Sequence, residues 1–162
     1  MPAPDRSDLT IVINAPQDQI LRAFFDNDAL GAWWSTARSV TIPRVLGPYV
    51  VEWHPTDFRD AVFGRLGGVL RGTVMQFDAT TGFFLADVFW LPPDSDPVGP
   101  MALEVTCRAA SSADDGGTGV NGTTVHVTQS GFEESLRWRH YYELINPGWE
   151  QALYSMKMLL ER

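Results

Sequence analysis

The sequence is poor in the residues that build disulfides, metal cages and basic surfaces. It has one cysteine, Cys107, and one lysine, Lys157, in 162 residues. A single cysteine excludes an intrachain disulfide and a cysteine-based metal cage. The formal net charge is −8 and the arginines form no run. This argues against a nucleic-acid partner, because contact with a phosphate backbone needs a basic surface.

Long apolar runs are also missing. Nothing approaches the roughly 20 residues that a membrane-spanning helix needs. Near the N-terminus, Asp5 and Asp8 stand where a secretory signal would have an apolar stretch. We therefore predict a flexible tail over residues 1–7 and a single cytoplasmic domain over residues 8–162.

Signatures of catalysis are equally scarce. The histidines His54, His126 and His140 fall on three separate elements, so neither a metal nor another cofactor is predicted. No Gly-x-Ser-x-Gly motif occurs, which argues against an α/β-hydrolase nucleophile. Cys107 lies on the apolar side of its predicted strand, where a thiol behaves as a small hydrophobic group.

Aromatic residues, by contrast, are abundant. The chain has six tryptophans and nine phenylalanines, more than a core of this size strictly needs. Large aromatic side chains dominate cores and ligand sites alike. The excess therefore suggests a cavity beside the core, while core packing alone also accounts for each aromatic residue taken singly.

The order of the elements predicts an α+β fold. Leu9–Asn14 is a β-branched run typical of a strand, and two short helices follow, the second with a capping signal in Asp26–Asp28. From Val40 to Gln129 the chain reads as successive strands with short connections, which favours an antiparallel sheet. The Ser-, Asp- and Gly-rich stretch from Ala109 to Gly122 is predicted to be a mobile hairpin tip.

The last segment carries a helix signal. Asn146 is a suitable N-cap, Pro147 fits the first turn, and Glu150 lies where the helix dipole favours an acid. Apolar residues then recur at spacings of three and four, namely Trp149, Ala152, Leu153, Met156 and Leu160. The pattern predicts a long helix that begins near Asn146 and packs against the sheet.

Short motifs in this order resemble the START-like superfamily, also called SRPBCC, in the branch related to the activator of the heat-shock-protein ATPase. The motifs span nearly the whole chain: Ile13-Asn-Ala-Pro16, Trp33-Trp34, Arg44-Val-Leu-Gly-Pro-Tyr49, Gly72-Thr-Val-Met-Gln-Phe-Asp78, Gly122-Thr-Thr-Val125, and Gly148-Trp149 with Leu153 and Lys157. Two departures stand near the expected cavity mouth. Pro48 replaces a second glycine, and the segment 55–68, which is predicted to be a long loop, is longer than usual.

The resemblance implies a helix-grip fold, in which a curved antiparallel sheet wraps round the long C-terminal helix and leaves a pocket between them. Family members bind lipids, polyketides or hormones, a few are cyclases or hydrolases, and some assist chaperones. The fold does not choose among these functions.

Candidate ligand contacts come from three parts of the chain. We expect the cavity to be lined by the aromatic set Trp33, Trp34, Tyr49, Trp53 and Phe63, by the inward strand residues Met101 and Leu103, and by the helix residues Trp149, Leu153 and Met156. Arg71 is the candidate for holding a ligand carboxylate.

Asp87 lies in a strand that is apolar on both faces. With Phe84, Ala86, Val88 and Trp90 inward, Asp87 faces out together with Phe83, Leu85 and Phe89, and that outer face needs cover. With the opposite parity, Asp87 enters the cavity, where a buried carboxylate needs a partner such as Arg71.

Three functions remain open. The leading hypothesis is a binding module for a small apolar or aromatic molecule. The second is a cyclase- or hydrolase-like enzyme that uses Asp87 or His54 for acid–base chemistry. The third is a cochaperone-like domain that binds a protein, or a second copy of itself as a homodimer, through the outer Phe83, Leu85 and Phe89 face.

Overall fold

The computed structural model describes residues 4–110 and 122–162. Their elements follow the order β1 (Arg6–Ile13), α1 (Gln17–Ala23), α2 (Asn27–Trp33), β2 (Arg38–Thr41), β3 (Pro48–Trp53), β4 (Arg59–Asp60), β5 (Gly64–Arg65), β6 (Gly68–Asp78), β7 (Gly82–Leu91), β8 (Val98–Ala109), β9 (Thr123–Ser130) and α3 (Leu136–Leu160). The predicted α+β class and the two short helices after the first strand are confirmed. Most of the predicted hairpin tip, residues 111–121, lies outside the described residues.

Seven strands form one antiparallel sheet in the order β1-β9-β8-β7-β6-β3-β2. The strands β4 and β5 form a separate hairpin within the segment 55–68 that was expected to be a loop. Helix α3 packs on the sheet, mainly against β1. This is the helix-grip arrangement that the resemblance implied.

The first strand begins earlier than expected. Arg6 and Ser7, placed in the tail by the sequence, pair with β9, and Ser7 is buried. The hydroxyl of Ser7 donates to the side-chain oxygen of Asn146 at 2.7 Å. Asn146 is therefore a contact between helix and strand rather than a cap.

The prediction that the last helix begins at Asn146 is wrong. It begins at Leu136, and Ser135 is its N-cap, accepting from the backbone N–H of Trp138 at 3.1 Å. Pro147 lies inside the helix, where it removes one backbone donor. Tyr141 before it and Trp149 after it are both buried. The packing of residues on both sides of the proline thus keeps one continuous helix, although the local sequence favours the start of a new helix at this point.

Each predicted parity of β7 holds for only part of the strand, because an extra residue changes the facing within it. The register shifts between Leu85 and Val88 against β8, and Asp87 adopts a positive φ of 51°. Such a β-bulge leaves side chains on either side of it facing the same way. Phe83 and Leu85 are consequently buried before the bulge, and Val88 and Trp90 after it.

The outer apolar face proposed for partner binding is therefore absent. Phe83 and Leu85 belong to the core, and the third member, Phe89, lies under the guanidinium of Arg71 at 4.9 Å. Asp87 itself is exposed and points away from the core.

Lys157 and Glu161 bond the end of α3 to the first strand and to the residue that follows it. Lys157 Nζ donates to the carbonyl of Val12 at 2.9 Å and to Glu161 at 2.6 Å. The same Glu161 carboxylate accepts from the backbone N–H of Asn14 at 2.8 Å. These bonds set where the helix crosses the sheet.

A capping variant tests where the helix begins. Ser135→Ala removes the cap and should lower the free energy of unfolding by about 1 kcal/mol, measured by urea denaturation. The control is Ser155→Ala, inside the same helix, which should leave stability unchanged or slightly higher because alanine favours helix. Equal effects of the two changes would contradict a start at Leu136.

Candidate ligand-binding site

A cavity of about 460 Å³ lies between the sheet and α3. Its wall consists mainly of aromatic and aliphatic side chains: Trp34, Ser35, Trp53, His54, Thr56, Leu66, Gly67, Leu70, Trp90, Gln129, Tyr141, Leu144, Ile145, Gly148 and Trp149. Exposed Ser35, His54, Thr56 and Gly148 mark its mouth, and buried Gln129, Tyr141 and Trp149 mark its inner end.

Three tryptophans from three elements form one side of the cavity. The ring of Trp34 lies 4.8 Å from that of Trp149 and 5.2 Å from that of Trp53, between ring centroids. The indole N–H of Trp53 donates to the carbonyl of Trp34 at 2.8 Å. The rings are thus held in fixed orientations and present flat apolar surface to the cavity.

A buried amide forms the inner end. Gln129 on β9 accepts from the indole N–H of Trp149 at 2.8 Å and donates to the hydroxyl of Tyr141 at 2.7 Å. Both partners belong to α3, one on each side of Pro147. The side chain of Gln129 therefore connects the sheet to the helix at two residues, Tyr141 and Trp149.

The residues on either side of the β4–β5 hairpin, Thr56 before it and Leu66 and Gly67 after it, close another side together with Leu70 of β6. Trp90 donates from its indole nitrogen to the carbonyl of Gly67 at 2.8 Å. Gly67 has φ of +92°, and a Cβ there would lie 2.4 Å from the carbonyl oxygen of His54. Only glycine allows this close approach of the two backbones.

Two carboxylates anchor that hairpin. Asp60 accepts from the backbone N–H groups of Val62 and Phe63 at 2.9 and 3.0 Å and contacts Nε2 of His140 at 2.8 Å. Burial tends to raise the pKa of Asp60, but these hydrogen bonds outweigh it and hold the pKa below its usual value. Asp94 forms a two-point bond with Arg65, which lowers the pKa of Asp94.

The cavity wall carries almost no charge. It contains no Asp, Glu, Lys or Arg among the described residues, and His54 stands at the exposed mouth. Burial raises the pKa of Tyr141, so its hydroxyl stays protonated at neutral pH. The site is suited to an uncharged molecule.

The predicted aromatic set divides between cavity and core. Trp34, Trp53 and Trp149 line the cavity. The other three aromatic residues are buried in the core away from the wall: Trp33 donates to the carbonyl of Ala23 at 2.9 Å, Tyr49 donates to the carbonyl of Phe24 at 2.8 Å, and Phe63 packs on Trp90 at 5.1 Å.

The remaining candidates do not line the cavity. Met101, Leu103, Leu153 and Met156 are core residues, with Met101 bonded through its sulfur to Gln129 at 3.2 Å. Arg71 is exposed and stacked on Phe89, which places it outside the wall. Of the acid–base candidates, only His54 lies at the cavity, and Asp87 does not.

Sequence reasoning missed the polar inner end. Gln129 follows Val125 and Val127 on the inward face of its strand, and an amide on such a face is a detectable signal. Tyr141 and Trp149 are eight residues apart, which places them on one helix face. Tyr141 was missed because the helix was predicted to begin after it.

Solved structures share this fold over nearly the full length. A protein from Chromobacterium violaceum is 21% identical, with 98% of this chain and 99% of that chain covered at a TM-score of 0.66. A protein from Mesorhizobium loti is 19% identical, with 96% and 97% covered at a TM-score of 0.67. The Aha1 dimer from Colwellia psychrerythraea is 19% identical, with 96% of each chain covered at a TM-score of 0.62.

These similarities confirm the predicted resemblance at the level of the fold. The chain matches no protein-family model and no curated protein sequence. At such identities a shared fold does not carry a function. Within residues 4–110 and 122–162, no helix is both long and apolar enough to cross a membrane.

The Asp60 anchor makes a prediction about acid stability. Asp60→Asn should lower the free energy of unfolding at pH 7 by about 1–2 kcal/mol, because a charged hydrogen-bond acceptor is lost. A lowered pKa contributes stability above the ordinary aspartate value of 3.8, and that stability is lost as pH falls through the lowered pKa.

The difference between wild type and Asp60→Asn should therefore shrink as the pH is lowered below about 4, measured by urea denaturation at each pH. Asp57→Asn, an exposed position in the same segment, is the control and should change little. A difference that stays constant down to pH 2 would show that the charge of Asp60 does not stabilise the fold.

Proposed function

We propose that the protein is a cytoplasmic binding module for a small apolar or aromatic molecule, held in the cavity between the sheet and α3. The observation that carries this proposal is the wall itself: fixed tryptophan rings, aliphatic side chains and the buried polar groups of Gln129 and Tyr141 around about 460 Å³ of space. Small-molecule sites commonly have volumes of 300–1,000 Å³ and this mixture of apolar wall and few polar groups.

The enzyme alternative lacks its required geometry. It needs at least two of Asp87, His54 and Arg71 within reach of one substrate. His54 stands at the cavity mouth, whereas Asp87 and Arg71 are exposed and absent from the wall. Cys107 offers no nucleophile either, because burial raises the pKa of its thiol to about 12.

A glycine at the mouth allows a direct test of binding. Gly148 lines the cavity, and a Cβ there would have no atom within 4 Å. Gly148→Phe should therefore place a ring at the cavity mouth without a clash. We expect its affinity for the neutral dye N-phenylnaphthylamine, measured by fluorescence titration, to fall at least about tenfold.

The matched control is Gly31→Phe. Gly31 lies on α2, outside the cavity wall, and a Cβ there would be in ordinary contact with Thr36 at 3.6 Å. Both changes replace a helical glycine, so both should keep or raise stability. Equal affinities of the two variants, or a wild type that does not bind the dye, would contradict the proposal.

A second candidate function is self-association through the open edge of the sheet. In the described part of the chain β2 is an edge strand, and Val40, Val45 and Leu46 beside it are 55%, 53% and 67% exposed. Apolar groups beside an unpaired strand edge favour pairing with another chain. The similar Colwellia psychrerythraea protein is described as a dimer.

Leu46→Asp tests this edge. Leu46 has a positive φ of 68°, which aspartate tolerates, so the change should not strain the backbone. Light scattering should give a dimeric mass for wild type and a monomeric mass for Leu46→Asp. Leu136→Asp, at an even more exposed leucine on α3, should remain dimeric. A monomeric wild type would exclude this second function.

A further inference from the structure

The buried polar groups of the cavity wall are almost all paired within the protein. The indole N–H groups of Trp53 and Trp90 donate to backbone carbonyls, and that of Trp149 donates to Gln129. The amide nitrogen of Gln129 lies within bonding distance of Tyr141 and of the sulfur of Met101. The direction of these bonds shows which polar group is left without a partner.

Trp149 fixes that direction. An indole N–H can only donate, so the atom of Gln129 that meets it is the amide oxygen. The amide NH₂ group must then face Tyr141, and the Tyr141 oxygen accepts. The hydroxyl hydrogen of Tyr141 consequently has no acceptor among the described residues, although the side chain is only 2% exposed and lines the cavity.

We propose that this hydroxyl is the polar recognition point of the cavity, and that the ligand is an uncharged, mainly aromatic molecule with one hydrogen-bond acceptor such as a ketone, ester or amide carbonyl. The inference rests on the proposed function of the cavity. A buried donor without a partner costs free energy, and a bound acceptor recovers it.

Two features of the site strengthen this assignment. The bonds from Trp149 to Gln129 and from Gln129 to Tyr141 run in one direction, so each polarises the next and makes the hydroxyl a better donor. The described wall also carries no lysine or arginine to pair with a ligand carboxylate. A charged ligand would lose its hydration without compensation.

A set of three naphthalene probes separates these requirements. Acetylnaphthalene carries a carbonyl, isopropylnaphthalene has nearly the same shape without an acceptor, and naphthoate carries a charge. Titration calorimetry with wild type should show binding of both neutral probes and much weaker binding of naphthoate. Tyr141→Phe should lower the affinity for acetylnaphthalene by about tenfold and leave that for isopropylnaphthalene unchanged.

The outcomes separate the two proposals. If wild type binds neither neutral probe, the proposed function fails and the inference fails with it. If both neutral probes bind but Tyr141→Phe affects them equally, or naphthoate binds as tightly as the ketone, only the assignment of Tyr141 is overturned.

An infrared measurement uses only the wild-type protein, so its result does not depend on whether the Tyr141→Phe variant folds. The carbonyl stretching band of bound acetylnaphthalene should lie at lower wavenumber than in dry alkane, because a hydrogen bond weakens the carbonyl bond. An unshifted band for the bound ketone would overturn the inference.

Discussion

The bond network of Gln129 is the constraint on which the rest of the structure depends. It joins the sheet to α3 at Tyr141 and at Trp149, two positions that flank the helix-interrupting Pro147. Removing the amide would leave a buried indole N–H unpaired, which is costly in an apolar interior. The same network keeps the helix a fixed distance from the sheet and so leaves room for a cavity. The amide of Gln129, on an otherwise apolar strand face, therefore governs both the packing of α3 and the space left for the cavity.

The other walls depend on backbone features rather than on side-chain hydrophobicity. The bulge at Asp87 restores the inward facing of β7, so that Trp90 reaches the cavity and donates to Gly67. Gly67 in turn allows the β4–β5 side to approach His54 closely. Two pairs hold that hairpin in place, since its Asp60 contacts His140 of α3 and its Arg65 bonds to Asp94, which follows β7. Charged groups thus hold one side of the site from behind, while the described wall contains no Asp, Glu, Lys or Arg.

Much of the fold was readable from the sequence because periodicity and capping are local. The alternation of Met101, Leu103, Val105 and Cys107 gave a strand face that is buried as expected, and Asp26 caps α2 through Ala29.

Competition between local signals and long-range packing could not be read from the sequence. Asn146-Pro147-Gly148 has the local signature of a helix start, but burial of Tyr141 and Trp149 outweighs the cost of an internal proline. A bulge leaves no clear mark in an apolar run, so each predicted parity of β7 holds on only one side of the bulge. The six aromatic residues predicted for the site divide equally. Trp34, Trp53 and Trp149 line the cavity, whereas Trp33, Tyr49 and Phe63 are core residues. Which aromatic residues border empty space depends on how the helix sits on the sheet.

A crystal structure of the protein soaked with acetylnaphthalene tests the central claim most directly. The account predicts density for the naphthalene rings inside the cavity, against the wall formed by Trp34 and Trp149, with the carbonyl oxygen about 2.7 Å from the Tyr141 hydroxyl. Probe density confined to the protein surface, or a cavity filled by shifted tryptophan side chains, would contradict it.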